Sequence, residues 1–125
     1  MTTALESSWG DNEEIVFLGE WCKKYSRKHL WQERNSYTLD YHWRDRTKLK
    51  KDYIYLENLY EVTLLSLSAY LNKYHCKDYD VDYWRVVVGP WLITYISVLW
   101  DRWECLQQVA SESSQFKTKI IKFNP

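Results

Sequence analysis

Glu20, Trp21 and Cys22 follow directly on the apolar run Ile15-Val16-Phe17-Leu18, separated from it only by Gly19. A strand that ends at a glycine turn delivers the next side chains to its carboxyl end, where open α/β sheets bind ligands. Glu20 is therefore a candidate general base or acceptor of substrate hydroxyl hydrogen bonds. Its bland alternative is a cap or an ion pair with Lys23, Lys24 or Arg27. Trp21 offers a flat ring for stacking, and Cys22 a nucleophile if its thiol were acidified.

A second cluster, Tyr41-His42-Trp43-Arg44-Asp45-Arg46, places rings and charges in six consecutive positions. His42 is a candidate proton carrier, Trp43 a stacking surface, and Arg44 and Arg46 a bidentate clamp for phosphate or carboxylate. Alternatively, Asp45 caps a following helix and the arginines are solvated. A third cluster joins Asn72 and His75, one helical turn apart, to Trp84 and Arg85. These four are candidates to line a cleft; the competing reading is helix capping by Asn72 and a His75 imidazolium facing the helix dipole.

The elements that must carry these residues are few. Glu14 to Leu18 predicts a strand, and Thr3 to Trp9 a short helix or turn. Residues 23–36 form a basic, polar connection. Tyr53, Leu56, Tyr60, Leu64, Leu67, Leu71 and Tyr74 recur at steps of three and four, which predicts a helix over Thr47 to Tyr74. Trp84 to Gln108 predicts a second long helix with Val87, Trp91, Tyr95, Leu99, Trp103 and Leu106 as its apolar stripe. Pro90 lies inside it, so the helix either kinks there or Arg85-Val86-Val87-Val88 forms a strand before it; the continuous stripe favours the helix. Phe116 to Phe123 alternates in part like a strand. The elements together describe an α/β half whose sheet is incomplete.

Composition narrows the function classes. The 125 residues suit one domain with a real core. Seventeen basic and seventeen acidic residues cancel, so no polyanion-binding surface and no nucleic-acid partner are expected. Three glycines leave no room for a Gly-rich phosphate loop, and GxGxxG, GxxxxGK[ST], HExxH and GxSxG are all absent. The three cysteines form no CxxC pair, and the histidines are isolated, so neither a metal site nor a cofactor is expected. Free thiols fit a reducing cytoplasm. The longest charge-free run, Val86 to Trp100, is shorter than the roughly 18 residues of a spanning helix, so no membrane span is expected.

The blocks Thr2-Thr3-Ala4-Leu5-Glu6, Phe17-Leu18-Gly19-Glu20-Trp21-Cys22 and Tyr41-His42-Trp43-Arg44-Asp45-Arg46 are followed by Leu71-Asn72-Lys73-Tyr74-His75 and Tyr83-Trp84-Arg85-Val86-Val87-Val88-Gly89-Pro90-Trp91-Leu92. In this order they resemble the N-terminal part of a bacterial transferase family encoded among surface-polysaccharide genes. The resemblance covers residues 2–106. It implies a glycosyltransferase-like protein of two lobes (GT-B type), several hundred residues long. On that basis residues 1–125 are expected to form a single domain, a partial Rossmann-like N-terminal lobe, helix-rich, with a small incomplete sheet and two long helices. The expected partners in the complete protein are a nucleotide-activated sugar, a glycan acceptor and the missing C-terminal lobe. The short chain alone is expected to be a truncated, inactive piece. The resemblance assigns no catalytic residue, so the site candidates remain Glu20, His42 and His75 for proton transfer, and Trp21, Trp43, Arg46, Asn72, Trp84 and Arg85 for substrate binding. The competing expectation is a non-catalytic, aromatic-rich interaction module, based on eight Trp and eleven Tyr.

Overall fold

The computed structural model describes residues 6–9 and 14–112. It is helix-rich, with one small parallel sheet, and divides into two compact units, residues 1–42 with 102–125 and residues 43–101. The expected strand at Phe116 to Phe123 lies outside the described residues.

In the first unit, β1 (Ile15–Phe17) pairs in parallel with β2 (Ser36–Thr38), in the register Ile15 to Ser36, Val16 to Tyr37 and Phe17 to Thr38. Parallel neighbours need a long crossover. Residues 18–35 supply it, through two short 3-10 turns and the single-turn helix α1 (Lys28–Trp31). The polar connection expected over residues 23–36 therefore runs into a second strand. β1 is covered on both faces, which explains its unbroken apolar run. Ile15 and Phe17 pack with Trp9 and Cys22, and the Trp9 ring meets Phe17 edge-on at 5.6 Å. Leu18, with Val16 beside it, packs with Leu39, Cys105 and Val109.

The second unit is an antiparallel helical hairpin. Helix α2 (Arg46–His75) begins at Asp45, whose carboxylate accepts the Thr47 amide at 2.8 Å, so Asp45 does cap the helix. It ends where Cys76 turns left-handed (φ 53°, ψ 46°). The Lys77 amide then reaches the Asn72 carbonyl at 2.9 Å and the Cys76 amide the Lys73 carbonyl at 3.4 Å, a Schellman closure with cysteine where glycine is usual. Helix α3 (Val81–Glu112) starts under the Asp80 carboxylate, which accepts the Tyr83 amide at 2.8 Å. It continues through Pro90 as helix, so Arg85 to Val88 is not a strand. The hairpin core is Leu56 and Leu64 from α2 with Trp84, Leu92 and Ile96 from α3.

The buried row on α3 differs from the expected stripe. Trp84, Leu92 and Ile96 are buried, and Val88 and Trp100 pack against them, whereas Val87, Trp91, Tyr95, Leu99, Trp103 and Leu106 are all exposed. Helix α3 carries apolar rows one residue apart, and only the row that faces α2 is covered. Among the described residues, no helix is long and apolar enough to cross a membrane.

Candidate functional site

Within the hairpin, α2 and α3 leave a groove of about 640 Å³ between them. Tyr53, Glu57, Asn58, Tyr60 and Glu61 line it from α2, and Arg85, Gly89, Pro90 and Ile93 from α3. Residues 53, 57 and 61 follow a four-residue step, which stacks them on one face of α2. In the antiparallel hairpin that face meets the Arg85, Gly89 and Ile93 side of α3.

Gly89 makes the groove possible. A methyl group at its Cβ position would stand 2.6 Å from the Tyr60 hydroxyl, so any larger residue would push the tyrosine or the helix aside. With hydrogen only, the Tyr60 ring reaches α3, and the Arg85 guanidinium lies 5.9 Å from the ring centroid.

The polar groups are tied to one another. Arg85 donates from both terminal nitrogens to the two Glu61 oxygens, at 2.6 Å and 2.9 Å, and its Nε lies 3.5 Å from Asp82. The Arg85 hydrogen bonds hold the Glu61 carboxyl below its ordinary pKa, and Glu61 in turn raises that of the guanidinium. The Tyr53 hydroxyl donates to Glu57 at 2.5 Å, which pushes the tyrosine pKa up. The Asn58 amide is turned back onto the Ile54 carbonyl at 2.9 Å. With Glu57, Glu61 and Arg85 charged, the groove carries one net negative charge. Its side chains accept and donate in pairs beside the apolar edges of Pro90, Ile93 and the tyrosine rings. That combination suits a neutral ligand rich in hydroxyls and disfavours a phosphate.

Of the residues singled out from sequence, Arg85 alone belongs to this groove. Glu20, Trp21 and His42 lie in the first unit and the other six in the second. Glu20 is exposed, 3.5 Å from Lys23, which is its ion-pair reading. Trp21 folds over Gly19, where any Cβ would clash with the indole, and Arg102 covers its ring at 3.5 Å from the centroid. His42 is half-buried, tilted against Tyr41 at 5.2 Å. Cys22 is fully buried; burial pushes its thiol pKa up, which opposes a nucleophilic role.

In the second unit, Arg46 and His75 open and close α2, roughly 43 Å apart along its axis. They do not share a site. Trp43 donates to the buried Asp52 at 2.9 Å, and Lys48 adds an ion pair at 2.8 Å. Asn72, His75 and Trp84 do come together at the hairpin end. The Asn72 side chain bonds the Tyr79 backbone on both sides (2.7 Å and 3.2 Å) and accepts the Trp84 indole N–H at 2.9 Å. His75 stacks on Trp84 at 6.1 Å. Since Trp84 is buried and Asn72 spends its amide on the chain itself, this cluster is a clasp that holds the hairpin.

Glu57, Asn58 and Glu61 escaped the sequence reading because acidic and amide positions on a helix look like a solvated face, while Tyr53 and Tyr60 were counted only as part of the apolar stripe. One signal was present. Glu57 and Glu61 are like charges four residues apart, an arrangement that destabilises a helix unless a cation or donor answers it. Tyr53 and Arg85 do so.

No curated protein and no solved structure matches the chain. The family model described as LIC12162 family transferase matches residues 1–124. The match covers nearly every residue of both units, groove and clasp included, and the chain is accordingly a member of the LIC12162 transferase family.

Proposed function

We propose that the chain serves as the acceptor-side part of a glycosyltransferase-like enzyme in bacterial cell-surface polysaccharide synthesis, working in the cytoplasm. On this reading it is the N-terminal, partly Rossmann-like lobe of a GT-B-type protein, and a nucleotide-activated sugar is held by a second lobe. Membership of a transferase family supports group transfer. The parallel pair β1–β2 with α1 in its crossover is in keeping with a Rossmann-like lobe.

The observation that carries the acceptor role is the groove itself. The Glu61–Arg85 fork and the Tyr53–Glu57 pair present paired oxygens and N–H groups of the kind that bind vicinal hydroxyls, next to apolar surface for a sugar's C–H face. Because Arg85 is already matched by Glu61, it has no surplus charge for a diphosphate. Glu57 is the carboxylate placed to contact an acceptor hydroxyl. Titrating neutral oligosaccharides against the tryptophan fluorescence of the chain tests this. Saturable binding that Glu57→Gln and Arg85→Met abolish is the expected result. Tighter binding of nucleotide sugars, or binding indifferent to both substitutions, would overturn the reading.

A second reading, a non-catalytic aromatic-rich interaction module, is favoured by the uncovered apolar row on α3. It predicts that no oligosaccharide or nucleotide sugar binds.

A further inference from the structure

Helix α3 presents three different faces within the hairpin. Trp84, Val88, Leu92 and Ile96 face α2, while Arg85, Gly89, Pro90 and Ile93 face the groove. The remaining face carries Val87, Trp91, Tyr95 and Leu99, which are 54%, 59%, 49% and 51% exposed. Trp91 precedes Ile93 by two residues and so stands about 200° around the helix from it. This row is therefore separate from the proposed sugar site, and its role does not depend on that reading.

The row is a strict four-residue ridge. Its two central rings are already organised: Trp91 and Tyr95 stack with centroids 5.1 Å apart and planes 16° from parallel. A stacked, rigid pair loses little side-chain freedom on being covered.

From these observations we infer that this ridge is a self-association surface, and that its occupant is the same ridge of a second copy, antiparallel about a two-fold axis that crosses the ridge midway between Trp91 and Tyr95, at the height of residue 93. The register makes the ridge complementary to itself. A two-fold at residue 93 sets Trp91 against Tyr95 of the partner copy and Val87 against its Leu99, an aromatic pair and an aliphatic pair, each made twice. No charged residue occurs from Val86 to Trp100, so this pairing brings no like charges together, and the zero net charge of the chain adds no long-range repulsion. Half-exposed rings and aliphatic chains contribute on the order of 100 Å² each. With Val98 alongside, also exposed, each copy covers about 500 Å², so the pair buries about 1,000 Å², the threshold for a specific but weak dimer.

Sedimentation velocity of the full chain, from micromolar to near-millimolar concentration, tests the inference. The expected result is a reversible dimer that Trp91→Glu and Tyr95→Glu each weaken by about thirty-fold or more. Both positions are exposed, so far-ultraviolet circular dichroism and oligosaccharide binding should stay as in the wild type. A monomer at every concentration overturns the inference, and so does a dimer that neither substitution weakens. Flotation with vesicles of anionic lipid, abolished by Trp91→Glu while the chain remains monomeric, would assign the ridge to a lipid surface and equally overturn it.

Discussion

Asn72 and Glu61 both reach from α2 to α3, about three helical turns apart on the same helix, yet the two ties differ in kind. At the hairpin end the half-buried Asn72 accepts from a buried indole and from the Tyr79 amide and donates to the Tyr79 carbonyl. At the groove, Glu61 meets an arginine in water, and both partners remain accessible. A tie formed in a dry site contributes stability, because losing one partner strands the other. A tie formed at the surface contributes little to stability and leaves its groups available to exchange partners. The indole bond at the hairpin end is thus the deeper of the two ties, and the Glu61–Arg85 pair the more accessible.

Substitutions can break or sharpen that contrast. The largest effect is expected for Trp84→Ala, which opens a cavity in the hairpin core and removes the indole hydrogen bond to Asn72; urea titration should show a loss of about 4 kcal/mol. Asn72→Ala removes three hydrogen bonds without a core cavity, so the same titration should show about 2 kcal/mol.

Asp52 extends the contrast to pH. Burial pushes its carboxyl up, but the hydrogen bonds from Lys48 and Trp43 outweigh this and leave its folded pKa below the ordinary value. A depressed carboxyl stabilises the fold fully above its unfolded value near ~3.9, and that contribution is lost as pH falls through the folded value. Asp52→Asn should therefore cost about 1–2 kcal/mol at neutral pH and flatten the acid limb of the stability profile below about pH 4.

Cys76→Gly relieves a left-handed residue and should raise stability by about 1 kcal/mol. The smallest change in folding is expected for Arg85→Met, whose melting temperature should stay near that of the wild type while oligosaccharide binding disappears. A large drop in melting temperature there would erase the distinction between clasp and groove.

Much of this arrangement was legible in the residues. The three-and-four spacing marks α2 because Leu56, Tyr60, Leu64, Leu67 and Leu71 pack in or against the hairpin core, whereas Tyr53 and Tyr74 at the ends of the expected stripe are exposed. Helix α3 defeats the same logic. Val87, Trp91, Tyr95 and Leu99 keep as good a period as Val88, Leu92 and Ile96, and only the partner helix decides which row is covered. The strand at Ile15 shows in its apolar run because it is covered on both sides. Ser36-Tyr37-Thr38 is short and polar, and becomes a strand only by pairing with a segment some twenty residues earlier. The groove depends on the register of two helices, so Arg85 was legible as chemistry but its companions on α2 were not.

The missing side chain at Gly89 has one more consequence. Sliding α3 along α2 by a turn would bring Arg85 or Ile93 to the spot where Tyr60 tolerates only a hydrogen. A slide in either sense would therefore first have to turn the Tyr60 ring away, so this contact favours the observed register of the two helices.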